Sequence, residues 1–110
     1  MSVYLLETWT IKPEDKERHD LIWKRYVRYM NQNPELFASI KSMKIYEKLL
    51  GNTSITHAQI VEFDSLEDKE ILDHKLSQDR ESGEFHRKLM RVKDPATTTE
   101  IICEPFLEFR

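Results

Sequence analysis

Apolar and polar positions along residues 3–11 alternate, but both sides of the segment stay partly apolar. Strand side chains point alternately to two faces, so Val3, Leu5, Trp9 and Ile11 share one and Tyr4 and Leu6 the other. A strand with one wet face would alternate more cleanly. The segment is therefore expected in the middle of a sheet covered on both faces. Glu7 interrupts the first side, two residues before Trp9.

The period then changes. Lys12-Pro13-Glu14-Asp15 reads as a helix start, with proline in the first turn and acidic groups at the positive end of the helix dipole. The helix should run to about Asn33, where Asn33-Pro34 stops it. Its apolar stripe is Ile22, Trp23, Tyr26, Val27 and Met30, and His19 lies on that stripe one turn before Trp23. Residues 39–50 alternate again, with Met43, Ile45 and Leu49 on one side and Ile40, Tyr46 and Leu50 on the other. The interspersed Lys41, Lys44 and Lys48 suit an edge strand. A turn at residues 51–54 leads into a third strand over residues 56–63, which places His57, Gln59, Val61 and Phe63 on one face.

Ser65 is an N-cap for a second helix whose buried side is Ile71, Leu72 and Leu76. The run Asp79-Arg80-Glu81-Ser82-Gly83 breaks it or kinks it near Gly83. It resumes with Phe85, Leu89 and Val92 on one face and stops at Asp94-Pro95. Residues 98–109 form the last strand, an edge or a bulged one because Pro105 cannot donate a ladder hydrogen bond. The order is β-α-β-β-α-β. Right-handed crossovers place the first and third strands centrally and the second and fourth outside. The helices cover one sheet face. A second copy over the other face gives a homodimer.

Size and charge narrow the function. The 110 residues are read as a single domain, 1–110, with a core small enough for association to help it. Net charge is −3 and the basic residues are scattered, which argues against a nucleic-acid surface. No apolar run approaches the ~20 residues of a membrane span, and no signal-peptide pattern opens the chain. A lone cysteine, Cys103, suits a reducing cytoplasm. Two glycines leave no phosphate-cradling loop.

The strand-to-helix entry TWTIKPED, the hairpin leading into VEFDSLED and the broken second helix ending in SGEFHRKL carry a resemblance. The chain resembles the dimeric α+β barrel superfamily, within it the antibiotic-biosynthesis monooxygenase-like domains, over nearly its whole length. The resemblance implies an α+β, ferredoxin-like fold, a homodimer and a pocket between helices and sheet in each subunit. Activities in the superfamily range over cofactor-independent monooxygenases, haem-degrading enzymes, isomerases and ligand-sensing modules. The haem-degrading pattern does not carry over. Glu7, His74 and Leu89 stand where that branch has asparagine, tryptophan and the ligating histidine. No cofactor is therefore expected, and no metal, since no histidine–carboxylate spacing matches a known metal motif.

His19 and Glu7 are the catalytic candidates. A histidine facing the sheet could act as base or donor, or sit water-satisfied in the first helical turns. A carboxylate between Leu5 and Trp9 needs a partner or a proton, so Glu7 is either a site group or the structural partner of a basic residue. Trp9, His19, Trp23, Tyr26, His57 and Phe85 are the candidate ligand-binding residues. The same aromatics also serve as plain core. Whether His57 shares a face with Glu7 depends on register. His74 is expected in solvent, and His86 near a pocket mouth. An apolar slot between Trp9, Trp23 and His19 would put Arg87 or Lys88 at an anionic headgroup. The expected function is binding of a small, mostly apolar or amphipathic, lipid-like molecule, with an anionic end as one version. The alternative is a cofactor-independent monooxygenase acting on an aromatic or polyketide-like substrate.

Overall fold

A computed structural model describes residues 2–109. The elements are β1 (Val3–Trp9), α1 (Lys16–Gln32), β2 (Ile40–Glu47), β3 (His57–Phe63), α2 (Leu66–Ser77), α3 (Arg80–Val92) and β4 (Thr99–Cys103). The strands form one antiparallel sheet in the order β2-β3-β1-β4. This is an α+β fold of the ferredoxin-like kind, with β1 and β3 central as the crossover rule requires.

The register decides what the helices cover. Leu5 pairs with Val61, Glu7 with Gln59 and Trp9 with His57, so these side chains share one face. Buried and half-buried residues alternate along the whole of β3. A 3-10 turn at Pro13–Asp15 starts α1, which buries His19, Ile22, Trp23 and Tyr26. Trp9 is fully buried at the centre of the core, with Phe37, Phe63, Leu72, Leu89 and Val92 around it. Ser65 caps α2, its hydroxyl accepting from the Asp68 N–H at 3.2 Å. The Asp94 N–H donates to the Thr10 carbonyl at 2.9 Å and pins the end of α3 to the end of β1.

Five local expectations change. A bulge in β2 between Ile40 and Ser42 sets Ile40 opposite Phe63, on the same face as Met43. One extra residue reverses the parity that alternation assumed. Leu49 and Leu50 lie beyond β2 and are exposed. The break between α2 and α3 falls at Gln78–Asp79, not at Gly83, because the Asp79 carboxylate caps α3. It accepts from the Ser82 N–H at 3.0 Å, the Ser82 hydroxyl at 2.7 Å and the Tyr29 hydroxyl at 2.7 Å. On α2, Leu72 is buried but Ile71 is exposed. The last strand stops at Cys103, two residues before Pro105, and Phe106, Leu107 and Phe109 are exposed beyond it. The sheet face away from the helices carries half-buried Tyr4, Leu6 and Ile60 and exposed Tyr46 and Ile101.

Candidate functional site

Two polar groups of residues lie between helices and sheet, one on each side of the tryptophans. The first is built from the start of α1 and the ends of β1 and β3. The Trp9 indole N–H donates to His19 Nε2 at 2.9 Å. An indole nitrogen only donates, so Nε2 accepts and the His19 proton sits on Nδ1, which donates to Asp20 Oδ1 at 3.0 Å. The His57 ring centre lies 4.5 Å from that of His19, and His57 stacks on Trp9 with an interplanar angle of 6°. Nδ1 of His57 hydrogen-bonds with the Thr56 hydroxyl at 2.8 Å. Burial lowers the pKa of both histidines, and His19 lowers that of His57 further.

Trp9 and Trp23 stack at 6.0 Å, so the space expected between Trp9, Trp23 and His19 is filled by their own rings. His19, Asp20 and His57 do bring ligand atoms within 4.8 Å of one another. A metal ion on His19 Nδ1 would displace its proton while Trp9 still donates to Nε2, which demands an imidazolate. Lys16 already spans Asp20 and Glu47, at 2.7 Å from each. The donor set does not suit a metal.

The second group borders a cavity of about 390 Å³. Its apolar wall includes Met30, Phe37, Met43, Phe63, Leu72 and Leu76. Glu7, Gln59, His86, Lys93 and Glu100 supply polar lining on one side, and Lys69, Asp73 and Ser77 on α2 add to it. Lys93 is the buried lysine of the chain, its side chain 7% exposed. Its ammonium donates to Glu7 Oε1 at 3.2 Å and sits 4.0 Å from the Trp9 ring centre. The local backbone explains this position. Lys93 caps α3 in an extended conformation just before Asp94-Pro95, and its N–H still bonds the Leu89 carbonyl at 3.0 Å. Burial lowers the Lys93 pKa, while Glu7 and Glu100 work in the opposite direction. In the same wall, the buried Trp23 indole N–H finds no partner among the described residues.

Of the candidate residues, Trp23 and Tyr26 line the cavity and Glu7 stands at its polar side. Trp9, His19 and His57 are packed outside its lining. Phe85 stacks on Tyr26 at 4.8 Å and lines a separate outer groove with Lys88. Register gives His57 and Glu7 the same face. His74 is exposed, and His86 reaches the cavity rim, with Nε2 3.5 Å from the Tyr26 hydroxyl. Arg87 and Lys88 are exposed and outside the cavity lining, and the cations that line it are the buried Lys93 and the half-buried Lys69. Sequence reasoning passed over Lys93 because lysine is ordinarily solvated. Its one signal was its place between an apolar helix stripe and the Asp-Pro stop.

No family model matches the chain, and no curated protein sequence matches it. Solved structures do. A dimeric protein of unknown function and ferredoxin-like fold from Bacteroides fragilis is 13% identical, covering 94% of this chain and 95% of its own, with a TM-score of 0.65. SnoaB, a cofactor-independent oxygenase from Streptomyces nogalater, is 8% identical over 97% of this chain and 95% of its own, with a TM-score of 0.67. An antibiotic biosynthesis monooxygenase is 11% identical over 96% and 99%, with a TM-score of 0.70. The chain thus shares the fold of ferredoxin-like dimeric proteins and antibiotic biosynthesis monooxygenases. Among the described residues, no helix is long and apolar enough to cross a membrane.

Proposed function

We propose that this chain binds a small, mostly apolar molecule in the helix–sheet cavity and works as a homodimer. One observation carries the reading: an apolar cavity of about 390 Å³ borders the buried Lys93–Glu7 pair. Apolar walls with a few placed polar groups are the ordinary chemistry of small-molecule sites. Glu7 and Glu100 set two carboxylates beside the Lys93 ammonium, and Asp73 offsets the Lys69 ammonium in the same lining, so an uncharged acceptor such as a carbonyl suits it better than an anionic end. The apolar sheet face supports self-association, and one structural neighbour is described as dimeric. The oxygenase alternative draws on the activity of SnoaB, which comes with a shared fold rather than a shared site.

Native mass spectrometry of the purified protein tests the binding reading directly. A retained small molecule, or uptake of the neutral fluorophore N-phenyl-1-naphthylamine, is the expected result. Neither retention nor uptake by folded protein would remove it. Oxygen uptake with phenolic substrates would favour the oxygenase. A stable monomer at low micromolar concentration in sedimentation would remove the dimer.

A further inference from the structure

We propose that Lys93 captures carbonyl compounds covalently, its amine condensing with the C=O of a mostly apolar aldehyde or ketone held in the cavity. The inference rests on the ligand-binding reading above and adds a chemical class and a bond to it. Three observations lead there. Lys93 is the buried lysine of the chain and lies in the cavity wall, whereas Lys69, which also lines the cavity, is half-buried and paired with Asp73, and the other lysines are exposed or half-buried outside it. Its ammonium is held by one carboxylate, Glu7 at 3.2 Å, and by the Trp9 and Trp23 rings, 4.0 and 5.7 Å from their centres. The cavity of about 390 Å³ beside it, largely apolar in its walls, gives a mostly apolar carbonyl compound room next to the amine.

The step balances without an outside reagent. The Lys93 ammonium passes a proton to Glu7 and becomes a free amine. The nitrogen lone pair then forms a bond to the carbonyl carbon, and the C=O π electrons move to oxygen, which takes a proton from the Glu7 carboxyl. The nitrogen of this carbinolamine returns a proton to Glu7. Glu7 gives this proton to the leaving hydroxyl, the C–O bond breaks, and water departs as the nitrogen lone pair forms the C=N bond. Ammonium and carbonyl give iminium and water, Glu7 ends as a carboxylate, and nothing is oxidised or reduced. Burial favours the neutral amine that starts the sequence. Glu7 and Glu100 oppose this through charge, with His86 also in the lining. A salt bridge of purely structural use would share the Lys93–Glu7 geometry, so reactivity must decide.

The test uses the whole chain, cinnamaldehyde and sodium cyanoborohydride at neutral pH, followed by peptide mapping. Labelling of Lys93 should exceed that of each lysine outside the cavity by about tenfold, because cavity binding raises the local aldehyde concentration, and should exceed that of Lys69, whose ammonium is held on Asp73. Leu72→Trp, which closes the cavity, should abolish the excess and leave the surface lysines unchanged. Displacement of N-phenyl-1-naphthylamine by cinnamyl alcohol, which cannot form an imine, is measured in parallel. If the alcohol displaces the probe but Lys93 labels no faster than surface lysines, covalent capture is overturned and the binding site stands. If probe, alcohol and aldehyde all fail to bind folded protein, both readings fall. Mapping of the unmodified chain decides this even where the variant does not fold.

Discussion

The two polar clusters beneath the helices meet at the tryptophans and differ in what they leave over. Around Trp9, His19 and His57, rings fill the volume, and both His19 nitrogens have a hydrogen-bond partner. Around Lys93, the same layer opens into a cavity, one indole N–H is unpaired, and an ammonium leans on a single carboxylate. Histidines near neutral pKa attract attention as catalysts, yet here they form the packed half. Space beside a buried charged pair marks the other half as the place for a ligand.

Truncation at the packed half should produce the largest loss. Trp9 is fully buried, stacks with Trp23 and His57, and donates to His19. Trp9→Ala should cost roughly 3–5 kcal/mol or more in urea unfolding, since a large cavity replaces the ring. A loss below ~1 kcal/mol would mean that this half is not closely packed. Glu7→Gln comes next. It leaves the buried Lys93 ammonium with a neutral partner and should cost about 1–3 kcal/mol, as for a charged hydrogen bond lost in a partly buried site. Glu7→Leu with Lys93→Met should recover most of that loss, because both charges leave together. Failure of the pair to recover would assign Glu7 a partner other than Lys93.

At the open half, stability and binding should separate. Leu72→Trp adds volume where the cavity already provides it, so unfolding should shift by no more than ~1–2 kcal/mol. Uptake of the apolar fluorophore should disappear. His19→Gln supplies the opposite control, because its effect should appear in stability and leave fluorophore uptake intact. Uptake lost in His19→Gln and kept in Leu72→Trp would reverse the assignment of the two halves.

The fold was legible because its signals repeat. Along β3 every second residue is buried, and the α1 stripe from His19 to Tyr26 lands on the sheet as its period requires. Events that occur once were not legible. The β2 bulge reverses the parity of Ile40 without a glycine to announce it. The helix break at Asp79 is a capping event, and the sequence offered Gly83 as a more conspicuous candidate. The cavity depends on how far α1, α2 and α3 stand from the sheet, a distance that no residue pattern encodes. Trp23 and Tyr26 could therefore be named as wall residues, while Trp9 and His19, on the same stripe and strand, turned out to be packed behind them.

The smallest effect concerns pH and also distinguishes the halves. His19 and His57 have lowered pKa values in the folded chain, chiefly through burial, whereas in the unfolded chain each titrates near ~6.5. Below that value the unfolded chain binds more protons, so folding stability is fully present above ~6.5 and declines as pH falls through it. Asp20 and Glu47 favour the protonated rings and Lys16 opposes them, so the carboxylates reduce the decline without reversing its sign. Protonation of His19 would also set an N–H against the Trp9 N–H that it now accepts from. Lys93 contributes in a different window. Its lowered pKa makes the unfolded chain the stronger proton binder over a window that closes near ~10.4, where the unfolded lysine loses its proton. Urea midpoints should therefore fall between pH 8 and 5 in the native chain and fall less in His57→Gln. His86 at the cavity rim, its pKa also lowered by burial, adds to the same decline, so the part that His57→Gln removes measures the packed half. A flat stability profile, or a decline that His57→Gln leaves unchanged, would place the titration somewhere other than the packed histidines.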